Sequence, residues 1–310
     1  MAMDEKLRDP WLLAVWPGMG GVAMSAGYYL MAKLGMHLLV EFPAGEIFDL
    51  EQITVKDGLI VPRQLPRSRL FLWNDPKGVH DIILFIGEAQ PPSRGGAFCR
   101  RLIEHARELD VRKVFTFAAM ATAMRPEQQS NVFGAAIDRE TLATFKRLGM
   151  YVLENGKISG LNGVLLGVAA GSGMTGGCLL GEIPSVFSQI PFPKASLAVL
   201  EHFTHMAGIE IDFSELRVHA KTVDITLADF LKRMEQSVED TEAEAERPPE
   251  VHLEKPAPRT ASRDRQRVEE LFSEARKDRS LAYGLKQELD RLGLFSEYED
   301  RFLDLFKEPE

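Results

Sequence analysis

From Trp11 the chain runs uncharged and apolar, breaks at Pro17-Gly18-Met19-Gly20-Gly21, and resumes as an apolar segment of helical length from about Val22 to Leu34. A short strand at Leu12 to Trp16, a tight turn and a buried helix in that order open a β-loop-α unit, which commits the chain to a layered α/β architecture. The same alternation continues downstream. Strand-like runs fall at Met36–Phe42, Leu70–Trp73, Asp81–Gly87, Lys113–Ala118, Val132–Ile137 and Met174–Leu180. Between them, Cys99–Leu109 carries Leu102, Ala106 and Leu109 on one face, and Asp138 stands where an N-cap would begin a helix that ends before Gly149. Pro193 at a first turn and Gly208 just past a last one bracket another helix, whose stripe includes Leu197, Leu200 and Phe203. Strands alternating with helices predict a three-layer α/β/α core with a mostly parallel sheet covered on both faces.

The composition changes after Met234. Residues 236–266 have almost no large apolar side chains, contain Pro248, Pro249, Pro256 and Pro258, and pass from an acidic block to a basic one, a composition that does not bury enough surface to stay ordered. Apolar periodicity returns at Val268, Leu271, Phe272 and Ala275, then Leu281, Leu285, Leu289 and Leu292. It ends with Phe302, Leu305 and Phe306 after Gly293 and a Ser296/Glu299 capping box. The expected organisation is an α/β core over 1–235, a charged linker over 236–266 and an amphipathic helical tail over 267–310. Short isolated helices are marginal in water, so the tail must dock on its own core, on another subunit or on a partner.

A formal net charge of −9 argues against a phosphate-neutralising surface and hence against nucleic acid as a partner. The two cysteines, Cys99 and Cys178, sit far apart in apolar or helical stretches, which fits a reducing, cytoplasmic compartment rather than a disulfide framework or thiolate metal site. The first ten residues lack the pattern of a secretory signal. The uncharged runs Trp11–Ala32 and Ile158–Gly181 reach bilayer-spanning length, but clustered turn residues interrupt each, so both read as buried strand-turn-helix units and no membrane partner is expected.

Gly18-Met19-Gly20-Gly21-Val22-Ala23 is a GxGxxA pattern between a strand and a helix, with Glu41 near the end of the next strand. That arrangement lets backbone approach a pyrophosphate at a helix N-terminus, with the acid on a ribose hydroxyl. The same glycines equally serve a tight turn with close helix-on-strand packing. Pro17 stiffens the turn and no hydride-transfer constellation follows, so no cofactor is assigned. The second glycine-rich region, from Gly160 to Glu182, lacks the lysine of a phosphate loop, and Ser172 lacks the flanking glycines of a nucleophile elbow. Glu88 and Glu182 each follow an apolar run and a glycine. Carboxyl ends of strands line the crevice of an open sheet, so these two acids and the Gly18 loop are candidates for one cleft, against a structural role as caps or bridges. Arg125 and Asn131 are a weaker candidate pair for an anion. His202 and His205 have a spacing that suits a metal but lack a third ligand.

Pro17-Gly18-Met19-Gly20, Gly87-Glu88-Ala89-Gln90-Pro91, Gly160-Leu161-Asn162-Gly163 through Gly167, and Cys178-Leu179-Leu180-Gly181-Glu182, in that order, resemble the proteasome assembly chaperone family in its bacterial and archaeal form. Pro193–Leu200 and Ile209–Leu216 extend the resemblance, which covers roughly Trp11 to Leu216 and leaves out the tail. It implies a phosphorylase- and hydrolase-like α/β/α fold, a homo-oligomer (a trimer as the expected number), and protein binding rather than catalysis. Characterised members can enter pockets of the proteasome ring with a C-terminal hydrophobic-Tyr-any tripeptide; the sequence here closes on Phe306-Lys307-Glu308-Pro309-Glu310 and lacks it. The resulting expectation is a non-enzymatic oligomeric scaffold or assembly chaperone with an unassigned protein client. The alternative is an enzyme or small-ligand sensor that takes a phosphate-bearing ligand at Gly18, Gly20, Gly21, Glu88, Asn162, Gly163 and Glu182.

Overall fold

The computed structural model describes residues 7–43, 48, 54–56, 58–61, 65–243 and 261–307. In chain order the core comprises β1 (Trp11–Val15), α1 (Val22–Leu34), β2 (His37–Phe42), β3 (Thr54–Lys56), β4 (Leu59–Val61), β5 (Ser68–Trp73), β6 (Ile82–Gly87), α2 (Gly95–Glu108), β7 (Lys113–Thr122), β8 (Val132–Ala136), α3 (Arg139–Arg147), β9 (Tyr151–Val152), α4 (Gly160–Gly171), β10 (Thr175–Pro184), α5 (Pro193–Ala207) and α6 (Ser214–Ala243). Three tail helices follow: α7 (Ala261–Lys277), α8 (Ala282–Leu292) and α9 (Phe295–Leu303).

The main sheet has the order β2-β5-β6-β1-β7-β10-β8-β9. Its centre, β6-β1-β7-β10, is parallel, and antiparallel pairings join β2 to β5, β5 to β6 and β8 to β10. Alternation along the buried strands divides the core into two layers, as side chains of successive strand residues must point to opposite faces. Leu13, Val15, Leu84, Ile86, Phe115 and Phe117 pack with α1 and α5, while Leu12, Ala14, Trp16, Ile83, Phe85 and Val114 pack with α2 and α4. The three-layer α/β/α reading is therefore correct.

Several local expectations are matched to the residue. Helix α1 spans Val22–Leu34, α5 runs from Pro193 to the left-handed Gly208, and Asp138 caps α3 by accepting from the Thr141 N–H at 2.9 Å. Others need correction. The uncharged run from Ile158 to Gly181 is a helix, a turn and then a strand, the reverse of the order expected. Strand β10 continues four residues past Leu180, because β7 remains alongside as far as the Thr122–Pro184 pair and β8 covers its other edge. Glu182 is consequently inside a strand. The Ser296/Glu299 capping box does not form either: Leu294 is the N-cap of α9, and the Glu299 carboxylate turns to the core instead.

Helical backbone enters the expected linker from both sides, through α6 to Ala243 and from Ala261 into α7; residues 244–260 lie outside the described residues. The buried stripe of α6 is Leu216, Ala220 and Leu227, with Val223 and Leu231 partly covered on the same core. The tail docks on the chain's own core. Val268, Phe272, Ala275, Tyr283, Leu285, Leu289, Phe302 and Phe306 are buried in the same cluster as Tyr28, Tyr29 and Phe71. No helix among the described residues is long and apolar enough to cross a membrane.

Candidate functional site

The carboxyl ends of β1 and β6 open into a cleft of about 330 Å³ with the Gly18 loop and α1 on one side and the tail on the other. Pro17, Gly18, Gly20, Gly21, Tyr28 and Glu88 come from the core, and Lys286, Asp290, Phe295 and Glu299 from α8 and α9. Gly20 and Gly21 have φ of 61° and 58°, left-handed values that a residue with a Cβ rarely adopts. Their amide groups are already committed. Gly20 N–H donates to Ser188 O at 2.7 Å, Gly21 N–H donates to Gly18 O at 3.1 Å, and Gly20 O accepts from Phe192 N–H at 2.9 Å. The loop thus ties the start of α1 to the segment before α5, and its left-handed turn accounts for Gly20 and Gly21.

Glu88 lies at the cleft's inner end and belongs to a clasp built around Arg69. The Arg69 side chain is 1% exposed and donates from Nε to Glu41 at 3.1 Å, from Nη1 to Glu88 at 2.9 Å and from Nη2 to Asp300 of α9 at 2.8 Å. Arg67 adds a 3.2 Å contact from Nε to the same Asp300 and a backbone N–H to Glu88 Oε2 at 2.7 Å. Burial pushes the Glu88 carboxyl up to about 7; the Arg67 N–H and Arg69 pull against that rise, and the charges of Glu299 and Asp300 reinforce it. Burial likewise raises Glu299, which accepts from the Tyr28 hydroxyl at 2.6 Å. The Lys286 ammonium pairs with Asp290 and lies 5.4 Å and 4.6 Å from the ring centres of Tyr28 and Phe295.

The other sequence candidates lie elsewhere. Glu182 is 8% exposed and satisfied by neutral donors, Thr122 Oγ1 at 2.7 Å and Asn131 Nδ2 at 2.6 Å, at the end of β7 and β10. It does not line the Gly18 cleft. Asn162 is buried in the first turn of α4, its Oδ1 without a hydrogen-bond partner among the described residues, and it does not line the cleft either. A Cβ at Gly163 would fall 2.1 Å from Ile158 O, so this glycine is required by a close backbone approach. Gln90 links the two glycine regions, donating to Pro17 O at 3.0 Å and accepting from Leu161 N–H at 3.0 Å.

Glu41 is held by Arg69 and is not free for a ribose, and the Arg125/Asn131 anion pair is not formed, because Arg125 pairs with Glu235 at 2.9 Å and Asn131 serves Glu182. His202 Nδ1 lies 2.8 Å from Ala198 O, and the described residues contain no group of three metal-ligating side chains. Both cysteines are buried, and burial pushes their thiols up to about 12. Sequence reasoning missed Arg69, Tyr28, Asp300 and Lys286. An arginine within the apolar run Leu70–Trp73 and its flank was the available signal, since a guanidinium enters a sheet only with carboxylates to meet it.

The model of the PAC2 family matches residues 12–230. An uncharacterised protein of Methanocaldococcus jannaschii is 26% identical over 248 residues, covering 77% of this chain and 90% of that protein. Among solved structures, the archaeal proteasome activator PbaB of Pyrococcus furiosus superposes with a TM-score of 0.62 at 23% identity, over 74% of this chain and 95% of that one. A proteasome-assembly chaperone homologue of Mycobacterium tuberculosis gives 0.61 at 22% identity, over 71% and 94%. These likenesses establish a shared fold. The matched family span ends at residue 230, within α6, so the three tail helices lie beyond it.

Proposed function

The chain belongs to the PAC2 family, and from that premise we propose that it is a non-enzymatic protein-binding scaffold or assembly chaperone that works as a homo-oligomer, with a trimer as the expected number. One observation carries the reading. On α6, Phe230 and Met234 are 51% and 50% exposed one turn apart, and Phe230 packs its ring 6.1 Å from that of Phe187. Val186 and Ile190, on either side of Phe187 in sequence, are 68% and 40% exposed. Exposed apolar side chains gathered in this way mark a surface that meets another protein. Val218 and Ile225, two turns apart on the same helix, add a second exposed apolar stripe. The two structural relatives, a proteasome activator and a proteasome-assembly chaperone homologue, make ring subunits of the proteasome type the first clients to test.

The experiment is to measure molecular mass by light scattering for the intact chain and for Phe230→Asp/Met234→Asp, and to compare their capture of proteasome α subunits. The wild type should exceed the 34.7 kDa of one chain, and the double variant should lose mass, client or both. An unchanged assembly with unchanged capture would remove this surface from the account. The ligand-sensor alternative rests on the cleft beside Gly18, Gly20, Gly21 and Glu88. The carboxylates of Glu88, Asp290 and Glu299 along that cleft oppose a phosphate, and charge therefore favours the protein-binding reading.

A further inference from the structure

The surface beneath the tail belongs to the family-matched core, whereas the segment that covers it does not. Tyr28 and Tyr29 of α1 and Arg69 and Phe71 of β5 all fall within residues 12–230. On them the tail places a repeated chemistry: Phe295 and Phe302 lie 5.3 Å and 5.6 Å from Tyr28, Tyr283 lies 4.6 Å from Tyr29, and Phe306 lies 6.3 Å from Phe71. Between these aromatic anchors, Glu299 and Asp300 reach Tyr28 and Arg69. The occupant is thus an amphipathic helix pair with aromatic side chains on one face and two adjacent acids among them. Such a set fills a groove in the manner of helix-in-groove recognition, where spaced anchors supply affinity and a buried ionic contact supplies register.

Two features make this contact exchangeable. Its polar half is crowded with carboxylates, because Glu41, Glu88 and Asp300 share Arg67 and Arg69 while Glu299 stands beside them on the Tyr28 hydroxyl, and that crowding weakens a docked state that its apolar half favours. The chain between Ala243 and Ala261 is also long enough to span, fully extended, up to about 60 Å, so covalent connection does not restrict the tail to its own core.

We propose that this aromatic and Arg69-bearing surface is an exchangeable docking site for an acidic, aromatic amphipathic helix, and that the tail of a second copy of the chain supplies it. In a homo-oligomer the tails then link neighbours by domain exchange, each core receiving the same contacts it makes in the single chain. The proposal deepens the self-association reading and rests on it, since a neighbouring copy must be at hand. The two fail separately: one through Phe230 and Met234, the other through Arg69 and Phe302.

A fluorescent peptide spanning Asp278–Lys307 serves as the second tail and is titrated by anisotropy against full-length protein. The wild type, its site filled, should bind weakly. Phe302→Ala, which loosens the resident tail, should bind the peptide at least about tenfold more tightly. Adding Arg69→Met to that chain should remove the gain. Circular dichroism establishes that each variant is folded, and Phe306→Ala, which loses the ring contacts to Phe71 and Phe302 but leaves those of Phe302 to Tyr28 and Phe295, replaces Phe302→Ala should the latter not fold. Folded, loosened variants that bind the peptide no better than wild type would make the tail a fixed part of the core and overturn the proposal; so would a gain that survives Arg69→Met.

Discussion

Two glutamates stand near the carboxyl ends of two parallel strands in the same local sequence, an apolar residue, glycine and glutamate, yet one lies within its strand and the other just past it, in opposite electrostatic surroundings. Glu182, on β10, is met by a threonine hydroxyl and an asparagine amide, neutral donors carried by the core itself. Glu88, after β6, is met by Arg69, but that guanidinium is also claimed by Glu41 and by Asp300 from the tail. The first arrangement is closed and complete. The second is completed only by a segment outside the family-matched span, and its charges do not balance. Fixed architecture is built where neutral donors saturate a buried acid, whereas a joint that can open tolerates a shared and crowded ion cluster.

Arg69→Met tests this contrast most severely. The thioether fills much of the space but removes the buried guanidinium from among the Glu88, Glu41 and Asp300 carboxylates and leaves the more exposed Arg67 to offset them. Breaking a buried ionic cluster on one side costs about 3–5 kcal/mol. The loss should appear as a large drop in urea midpoint. Because Asp300 lies on α9, the tail should also become sensitive to proteolysis before the sheet does. A midpoint within error of wild type would mean that the clasp contributes nothing and that the two acids are equivalent after all.

Glu182→Gln addresses the other side. The amide retains the shape and an acceptor oxygen for Asn131, but its Nε2 faces Thr122, whose hydroxyl must turn round to accept and give up its own bond to Glu182, so the hydrogen bonds to the carboxylate are replaced by weaker amide ones. The expected cost is about 1–3 kcal/mol, smaller than at Arg69 and without any effect on tail protection. Increased tail cleavage in this variant would show that the two sites communicate and would dissolve the distinction.

The distribution of what was legible in the sequence follows the same line. Helices α1 and α5 could be delimited exactly because glycine and proline punctuate them, and the α/β/α layering followed from strand and helix alternation. Helix α6 was passed over although Leu216, Ala220, Val223, Leu227 and Leu231 recur at helical spacing; its polar remainder merged into the charged stretch beyond. Glu88 and the Gly18 loop line one cleft, since both sit at the carboxyl ends of adjacent central strands. Glu182 was not, because nothing local reveals that β7 pairs with β10 for four residues more. Gly163 carried a signal of constraint, but the constraint is the carbonyl of Ile158, not a ligand. The clasp lay beyond reach: Glu41, Arg69 and Glu88 meet only once β2, β5 and β6 pair side by side, and Asp300 joins them by the return of the tail, a contact between residues 231 positions apart.

The most diagnostic test is the one that reads the charge imbalance directly. Glu88 is held near 7, above the ordinary glutamate value of 4.5, so the folded, docked state binds a proton more readily than the unfolded chain does. Its contribution to stability is therefore fully present below the ordinary value and is lost as pH rises through about 7. Glu299, raised by the same burial, acts in the same direction. The groups that face this pair are Glu41 of β2, Arg67 just before β5, Arg69 of β5, Tyr28 of α1, His219 of α6, Lys286 and Asp290 of α8, and Asp300 of α9. Carboxylates held low by backbone N–H donors, Asp75 and Asp138 among them, lose stability only at more acid pH. His219, lowered by burial, opposes the decline below its ordinary value of 6.5, so the wild-type slope is the difference of the two and the Glu88→Gln comparison isolates the glutamate. Urea midpoints of the wild type should accordingly decline from about pH 5 to about pH 8 at constant ionic strength, and Glu88→Gln, which carries no titrating proton, should flatten most of that slope. At Glu182 the comparison supplies its own control: Glu182→Gln should leave the slope as steep as in the wild type. Equal slopes in the wild type and Glu88→Gln would place the proton elsewhere and break the contrast at its electrostatic root.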